Sequence, residues 1–237
     1  MQPDVLRVLQ TKGEIRAFYN KISRAYDLLA DRSEGPLRRR GLEMLAVEPG
    51  SRVLEIGFGS GHSLIDLALA VGPRGRVHGI DLSDEMASVS RRRLASSGCS
   101  DTVSLVLGDA ELLPFAAGSF DFLFTSFTLE LFDTPDIPKV LAECRRVLRP
   151  GGRMGVVALT KSGPSGFAVR AYEWTHRHFP NLLDCRPIYA ERSLTDAGFE
   201  IVGAGLDQMW VPVEIVVAQK PSNGGDVQIG GHGGELS

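Results

Sequence analysis

The stretch "VLEIGFGSGHSLIDLA", residues 53–68, places three glycines in five positions between a short apolar run and a segment of helical periodicity. Glycine accepts positive φ angles and has no Cβ, so a strand-to-helix turn built from it can pass directly beneath a ligand. A lone GxG is more often a simple connection. The dinucleotide fingerprint G-x-G-x-x-G would put its third glycine where this chain has His62. The spacing here therefore disfavours a nicotinamide or flavin dinucleotide.

Glu55, at the end of the apolar run, indicates the charge of the ligand. A carboxylate just before the glycine loop would repel a phosphate group, whereas it would attract an ammonium group. The sequence therefore predicts a ligand that carries a positive amine close to Gly57, Gly59 and Gly61.

Strands and helices are predicted to alternate around this loop. Short apolar runs between turn residues predict strands at 52–56, 76–82, 102–109, 120–126 and 152–160. Helical periodicity predicts helices at 64–71, 84–98 and 135–148. Two further runs, 200–206 and 211–219, have a link too short for a parallel crossover and predict an antiparallel hairpin. The fold class is therefore α/β: a doubly wound, Rossmann-like, seven-stranded and mostly parallel sheet with a C-terminal antiparallel hairpin.

In such a sheet, ligands bind beyond the carboxyl ends of the strands. The loops in question follow Ile56, Asp81, Gly108 and Ser126. Asp81 could accept hydrogen bonds from both hydroxyls of a ribose, although a single Asp is commonly a helix cap or a solvated carboxylate. Asp109 ends the next strand, within reach of an adenine amine. Together these strand ends suit one adenosyl ligand.

Segments outside the alternating region have distinct compositions. Apolar residues at spacings of three and four predict a helical preface within residues 1–45. The aromatic and basic stretch 163–187 is too long for a simple connection and predicts a helical insertion. The last 17 residues, 221–237, are rich in glycine and are predicted to be disordered. The main domain is accordingly 46–220.

Composition narrows the class of partner and the compartment. The 237 residues carry a net charge of -3, which gives no general attraction to polyanions and disfavours nucleic acid. The three cysteines lack metal-ligand spacing and indicate a reduced setting. Neither a signal peptide nor a run of roughly 18 apolar residues is found, so we expect a cytoplasmic protein without stable membrane insertion. The oligomeric state is left open.

Four segments in order resemble the motifs of class I S-adenosylmethionine-dependent methyltransferases over roughly residues 50–160. They are "VLEIGFGSG", "GIDLSDEM", "GDAELLPFAAGSFDFLFTSFTL" and "RVLRPGGRM". The preface "FYNKISRAYDLLADRS", together with "LPFAAGSFDFLFTSF", is similar in particular to the ubiquinone/menaquinone-biosynthesis C-methyltransferases. The segment "FPNLLDCRPI" departs from the pattern of quinone methyltransferases.

This resemblance implies S-adenosylmethionine as cofactor and a role for each matching position. Glu55 and the Gly57–Gly61 loop would hold the methionine portion, and Asp81 the ribose hydroxyls. The other implied positions are Leu82 and Met86 at the adenine face, Asp109 and Ala110 at its edge, Ser126 beside the sulfonium, and Tyr26 in a lid formed by the preface. Tyr19 is either a second lid residue or a packing residue.

The resemblance also implies transfer of a methyl group to a small, apolar or aromatic acceptor, by quinone-like C-methylation or by N- or O-methylation. Holding the reactants in line can supply roughly 7 to 11 kcal/mol, so no catalytic side chain is required. If the acceptor loses a proton, the candidate bases are His176 and His178 in the insertion, which are more often surface or core-edge residues, and Glu130 at the pocket mouth, which is equally a solvated loop carboxylate. The rival hypotheses are a dinucleotide-dependent oxidoreductase and a non-catalytic S-adenosylmethionine-binding module.

A few further residues have predicted positions. His62 should lie in the first turn of the helix after the glycine loop, where a charged imidazolium is disfavoured, and it is not expected to be catalytic. Asp184 and Arg186 could pair with each other or with substrate, and Cys185 is expected to be a small buried side chain. The insertion aromatics expected to contact the acceptor are Tyr172, Trp174 and Phe179.

Overall fold

The computed structural model describes residues 5, 7, 8, 10–162, 186–209 and 211–222, without the side chains of residues 19 and 21–32. Its strands are β1 (Arg52–Ile56), β2 (Arg76–Asp81), β3 (Val103–Leu107), β4 (Phe120–Ser126), β5 (Leu148–Leu159), β6 (Glu200–Gln208) and β7 (Pro212–Gln219). They form one seven-stranded sheet in the order β3-β2-β1-β4-β5-β7-β6. Strands β1 to β5 are parallel, and β7 runs antiparallel to β5 and β6. The predicted fold class, including the terminal hairpin, is confirmed.

The hairpin places its second strand inside the sheet and its first strand at the edge. Strand β7 is buried along almost its whole length, because it lies between β5 and β6. Strand β6 alternates between exposed and half-buried positions, as an edge strand with one covered face does.

The helices are α1 (Lys12–Leu45), α2 (His62–Val71), α3 (Asp84–Ser96), α4 (Ile137–Val147) and α5 (Ala190–Asp196), with a short 3-10 helix at Leu129–Leu131. The predicted helices of the alternating region are confirmed, with ends that differ by two residues or fewer. Ser83 begins α3, because its side-chain oxygen accepts a hydrogen bond from the Met86 backbone N–H at 3.1 Å. Leu148 was predicted to be helical but starts β5 directly after α4.

Helix α1 extends through most of the predicted preface. A capping box starts it: the Glu14 carboxylate accepts from the Thr11 backbone N–H at 2.7 Å, and the Thr11 side chain accepts from the Glu14 N–H. Near its other end, Gly41 lies so close to the sheet that an added Cβ would be 2.5 Å from Val157 Cγ2. The absence of a side chain at Gly41 therefore lets the helix pack directly on β5.

Two apolar clusters cover the two faces of the sheet. Val53 and Leu54 are adjacent on β1, yet Val53 packs with residues of α1 and α2, whereas Leu54 packs with residues of α4 and α5. This alternation is the period of two expected for a strand buried on both faces, and it explains the unbroken apolar run in the sequence. No helix in the described residues is long and apolar enough to cross a membrane.

Candidate active site

A cavity of about 190 Å³ lies at the carboxyl ends of the parallel strands. Its walls come from the loops after β1, β2, β3 and β4, and from one side of α1. The predicted site residues in its lining are Glu55, Gly57, Gly59, Asp81, Leu82, Met86, Ala110 and Ser126. Eight of the predicted positions, drawn from four separate loops, thus meet in one place. The side chain of Tyr26 lies outside the described part of the chain.

Glycine is required at Gly57, Gly59 and Gly61 for different structural reasons. All three have positive φ angles: 70° at Gly57, 49° at Gly59 and 84° at Gly61. No atom of the described residues lies within 4 Å of a Cβ placed on Gly59, so this residue faces open space in the cavity. A Cβ on Gly57 would overlap the side chain of Thr128, and one on Gly61 would lie 2.6 Å from Ser90 Oγ. Room for a ligand therefore explains Gly59, whereas Gly57 and Gly61 are required by their positive φ angles, as the sequence suggested, and by close protein neighbours.

Asp81 fixes the glycine loop to the end of β2. Its Oδ2 accepts a hydrogen bond from Gly59 N–H at 2.9 Å, and its Oδ1 accepts from Ser83 N–H at 2.8 Å. Burial raises the pKa of Asp81, while these backbone hydrogen bonds act in the opposite direction. Asp81 is not the helix cap that the sequence left open, since Ser83 has that role. A carboxylate has about four lone-pair positions, and the Leu82 backbone N–H also acts on it, so one remains for a ligand hydroxyl.

Glu55 is a buried carboxyl group in the cavity wall, with only 1% of its surface exposed. Within the described residues, its Oε2 atom has no hydrogen-bond partner. Burial raises the pKa of Glu55 to about 8, against the opposing effects of a Ser63 hydrogen bond and the Arg38 charge. A buried polar atom without a partner is costly, and an ammonium group could satisfy it. The residue therefore fits the amine end of S-adenosylmethionine.

Among the lining residues from α1 that the sequence did not single out are Glu34 and Arg38. They are four residues apart, which puts them on the same side of the helix. Arg38 is only 8% exposed and lies four and seven residues before the core positions Leu42 and Leu45. The spacing puts Arg38 in phase with Leu42 and Leu45, but the same spacing occurs in helices whose basic residue reaches solvent, so the sequence did not reveal its burial.

Asp109 takes part in an ion pair at the edge of the cavity. Its carboxylate pairs with the ammonium group of Lys12, which also lies 2.6 Å from Glu111 Oε1. Asp109 Oδ1 accepts a hydrogen bond from the Glu111 backbone N–H at 3.0 Å. The neighbours of Asp109, Gly108 and Ala110, face the cavity. An adenine amine would have to share the Asp109 carboxylate with Lys12.

A second set of polar contacts joins α1 to the start of α3. Arg16 pairs with Asp84 at 2.8 Å, and Asn20 Nδ2 donates to the same carboxylate at 3.0 Å. Ser83 Oγ donates to Asn20 Oδ1 at 2.6 Å. These contacts hold the first half of α1 against the loops that carry Asp81 and Asp109.

The loop after β4 forms an apolar wall of the cavity. Phe127 has a positive φ of 50°, which is strained for a residue with a side chain, and its ring is buried in the lining. Its N–H donates to Val157 O at 2.8 Å, which fixes the turn to β5. Leu131 and Phe132 continue the lining, and Thr128 contacts the glycine loop.

Glu130 lies behind this wall. The sequence predicted it at the pocket mouth or in solvent, and both placements are wrong, because its side chain has no exposed surface. Its Oε1 accepts a hydrogen bond from Leu159 N–H at 3.1 Å, and burial raises its pKa to about 8. The 3-10 turn that contains it directs the carboxyl group toward the end of β5.

Arg186 is also fully buried and donates a hydrogen bond to the backbone oxygen of Phe132. Burial lowers its pKa to about 10, against the opposing charges of Asp133 and Glu130. His62 begins α2, as predicted, and lines the cavity. The predicted insertion residues lie outside the described part of the chain: Tyr172, Trp174, His176, His178, Phe179, Asp184 and Cys185.

Known proteins share this sequence pattern. Residues 53–152 match a family described as a methyltransferase domain. Nocamycin O-methyltransferase from Saccharothrix syringae is 33% identical over 194 residues, which cover 76% of this chain and 68% of that protein. Demethylmenaquinone methyltransferase from Staphylococcus aureus (strain JH9) is 36% identical over 158 residues, 65% of this chain. The match spans 63% of the length of that relative.

Solved structures share the fold at lower identity. The [4+2]-cyclase SpnF has a TM-score of 0.73 and 18% identity, covering 90% of this chain and 98% of its own. A SAM-dependent methyltransferase from Aquifex aeolicus has a TM-score of 0.63 and 22% identity, covering 83% and 97%. With the sequence relatives, these findings show that the chain belongs to the S-adenosylmethionine-dependent methyltransferases. The predicted family, enzyme class and cofactor are confirmed.

Proposed function

We propose that the protein transfers the methyl group of S-adenosylmethionine to a small apolar or aromatic acceptor that binds against the loop after β4. The observation that carries this proposal is the apolar wall formed by Phe127, Leu131 and Phe132, directly after Ser126. Ligand pockets of this kind combine apolar walls with a few polar groups that fix orientation. The acceptor is then held on one side of the cavity and the cofactor on the other.

The proposed cofactor side keeps the roles implied by the sequence. Glu55 and the glycine loop hold the methionine portion, Asp81 accepts from the ribose hydroxyls, and Ser126 lies beside the sulfonium. The adenine contacts are Leu82 and Met86 at its face, and Asp109 and Ala110 at its edge. Three observations on the described residues support this arrangement: Glu55 Oε2 has no hydrogen-bond partner among them, none lies close to a Cβ on Gly59, and Asp81 keeps a lone pair that their backbone N–H groups do not use.

The proposed mechanism assigns orientation and water exclusion to the protein. S-adenosylmethionine, when bound, supplies an already activated methyl group. The apolar wall and α1 exclude water. The strand-end loops hold the reactants in line, which can lower the reaction barrier by roughly 7 to 11 kcal/mol. Glu130 is not proposed as a base, because its carboxyl group is buried behind the wall and bonded to Leu159. His176 and His178 stay candidate bases if the acceptor loses a proton.

Residues 1–45 are proposed to form a lid over this site. Lys12 and Arg16 contact Asp109 and Asp84, beside two of the cofactor loops, and Arg38 lines the cavity itself. A lid anchored in this way would limit access of water to the sulfonium. Tyr26 belongs to the same segment, and its predicted contact with the cofactor is part of this proposal.

A cytoplasmic location and a small-molecule rather than nucleic-acid partner belong to the same proposal. Within the described residues, Cys99 and Cys144 are free and buried, which suits a reducing compartment. The net charge of -3 gives no general attraction to polyanions. Cell fractionation with an antibody against the protein would check the location.

The acceptor is tested by label transfer. The protein is incubated with S-adenosylmethionine labelled in its methyl group and with a panel of quinols, phenols and amines, and the products are separated by chromatography. We expect label on a quinol or phenol, in line with two relatives named as an O-methyltransferase and a demethylmenaquinone methyltransferase. Asp81→Ala serves as the inactive control.

Two outcomes would contradict the proposal. Binding of S-adenosylhomocysteine without label transfer to any acceptor would favour a non-catalytic module or another reaction, and one fold relative is a [4+2]-cyclase. Stabilisation by NADH but not by S-adenosylhomocysteine would favour the dinucleotide hypothesis. A ligand at 100 times its dissociation constant stabilises by roughly 2.7 kcal/mol, which a thermal melt detects.

A further inference from the structure

Arg186 places a buried guanidinium directly behind the apolar wall of the cavity. The side chain has no exposed surface, and its Nη2 donates to the backbone oxygen of Phe132, a lining residue. The Nε and Nη1 atoms have no hydrogen-bond partner in the described residues. Burial lowers the pKa of Arg186 only to about 10, so the group stays charged at neutral pH.

Two acidic groups act on Arg186, and neither cancels its charge. Glu130 is uncharged at neutral pH, because burial raises its pKa to about 8. Its Oε1 accepts from Leu159 N–H, and its Oε2 has no hydrogen-bond partner in the described residues. Asp133 accepts from Arg7 Nε at 2.8 Å and from Arg7 Nη2 at 2.6 Å. The charge of Asp133 is therefore matched by Arg7.

Two further carboxylates of the cavity lining also have basic neighbours. Asp136 pairs with Lys139 at 2.7 Å. Glu34 lies one turn before Arg38 on the same side of α1. Within the described part of the acceptor side, the positive charge of Arg186 is thus left unmatched.

An unmatched positive charge behind an apolar wall favours one class of acceptor. Burial in an apolar pocket alone would raise the pKa of a phenol, because its ionised form loses water. A buried cation nearby has the opposite effect, since it attracts the ionised oxygen over several ångström when the effective dielectric constant is low. The same charge repels an ammonium group. The wall therefore suits a hydroxyl that ionises better than it suits an amine.

We propose that Arg186 stabilises the ionised oxygen of a phenolic or enolic acceptor held against the wall formed by Phe127, Leu131 and Phe132. This inference rests on the proposed function and deepens it, because it selects acidic hydroxyl acceptors over amines. The hydroxyl proton passes to water before the transfer. The ionised oxygen then forms a bond to the methyl carbon while the bond from that carbon to sulfur breaks. The electron pair of the broken bond stays on sulfur, and the products are a methyl ether and S-adenosylhomocysteine.

The first test measures the ionisation of a bound phenol. The absorbance of para-nitrophenol changes when its hydroxyl ionises, so a pH titration of its complex with the protein and S-adenosylhomocysteine gives the pKa of the bound phenol. The wild-type site should favour the ionised form about tenfold more than water does. In Arg186→Gln the pKa of the bound phenol should be equal to or above that of the free phenol, because burial then acts alone.

Two variants separate the charge from packing. Arg186→Lys keeps the charge and should keep most of the effect on para-nitrophenol. Lys139→Gln removes a basic residue that is 61% exposed, and it should leave the effect unchanged.

A second measurement needs the wild type only and serves if Arg186→Gln does not fold. Label transfer from S-adenosylmethionine is followed with para-substituted phenols of different acidity and with anilines of the same shapes. The pH at which kcat/KM reaches half its maximum should lie below the pKa of each free phenol. The anilines should receive at least tenfold less label.

The other outcomes are distinct. A wild-type site that does not lower the pKa of bound para-nitrophenol would overturn the inference. An equal pKa in the wild type and in folded Arg186→Gln would also overturn it, and Arg186 would then only support the wall. Binding of S-adenosylhomocysteine without binding of any phenol would mean that the acceptor class is wrong. If S-adenosylhomocysteine itself did not bind, the proposed function would be wrong.

Discussion

The loop after β1 and the loop after β4 form neighbouring walls of one cavity, but they are held in different ways. The first is fixed through the backbone N–H groups of its glycines: Gly57 N–H donates to Ile80 O at 2.8 Å, and Gly59 N–H donates to the Asp81 carboxylate. The second has a backbone hydrogen bond from Phe127 N–H to Val157 O and is supported in addition by two buried ionisable side chains: Glu130 accepts from Leu159 N–H, and Arg186 donates to Phe132 O.

This difference matches the proposed tasks of the two walls. The loop after β1 is held through the backbone N–H groups of its glycines, so its geometry does not depend on side chains. This suits a cofactor that does not vary. A wall supported by side chains can change its shape through substitutions behind it, which suits an acceptor that differs between relatives. The walls meet where Thr128 fills the space left by Gly57. Substitutions at this contact and on either side of it should affect cofactor and acceptor differently.

The largest expected effect is at the contact between the walls. Gly57→Ala adds a Cβ that overlaps Thr128 at a φ of 70°, and the strain and the overlap together should lower the free energy of unfolding by about 2 to 5 kcal/mol. Gly59→Ala has a similar positive φ but open space, so only about 1 to 2 kcal/mol should be lost. Urea unfolding measures both. Equal losses would show that Thr128 moves aside freely.

The buried carboxyl groups should make stability depend on pH. The pKa values of Glu55 and Glu130 are raised from 4.5 to about 8, so the folded state binds more protons than the unfolded state between these values. Their contribution is fully present below pH 4.5 and is lost as the pH rises through 8. The loss of a proton from each carboxyl group should lower the free energy of unfolding by about 2 kcal/mol between pH 6 and 8.

Urea unfolding of wild type and Glu130→Gln at pH 6, 7 and 8 isolates one of these groups. Glutamine has the shape of the neutral acid and cannot lose a proton, so the decline with pH should be shallower in the variant. If the free energy of unfolding declined with pH equally in both proteins, Glu130 would not be uncharged in the folded state.

On the cofactor side, Asp81→Ala should weaken S-adenosylhomocysteine binding about 10- to 100-fold, because hydrogen bonds to a charged acceptor contribute about 1.5 to 3 kcal/mol each. Calorimetry measures this affinity, and circular dichroism checks the fold. The matched control is Asp84→Ala, three residues later, whose carboxylate pairs with Arg16 and Asn20. A similar loss of S-adenosylhomocysteine affinity in both variants would contradict direct binding by Asp81. It would indicate that both substitutions weaken the ligand by moving α1.

On the acceptor side, Glu130→Ala should raise the Michaelis constant of the acceptor about 5- to 10-fold and leave the affinity for S-adenosylhomocysteine unchanged. The variant removes one hydrogen bond that holds the apolar wall, an effect of about 1 kcal/mol. Glu130→Gln should restore most of the wild-type value. A change in cofactor affinity instead would place Glu130 on the cofactor side.

Much of the cofactor side could be predicted from the sequence, since it depends on residues next to strand ends. Glu55, Gly59 and Asp81 lie at or just after the carboxyl ends of β1 and β2. These strands are parallel neighbours, so their carboxyl ends meet at the same edge of the sheet. Arg38 and Glu130 could not be placed in this way, because their positions depend on how α1 and the loop after β4 pack. A single charged residue in an apolar sequence has the same pattern whether it ends buried or in solvent.

The smallest expected effects concern the ion pairs that hold the first half of α1. Arg16→Ala breaks a pair whose partners are both about half exposed, and exposed pairs contribute little to stability. The melting temperature should therefore hardly change. If α1 acts as a lid, however, S-adenosylhomocysteine should dissociate faster from the variant, and raising the salt concentration should narrow the difference from the wild type, because salt screens exposed charges. Stopped-flow displacement at 0.05 and 0.5 M salt measures these rates. Equal dissociation rates at low salt would show that the pair does not help to close the cavity.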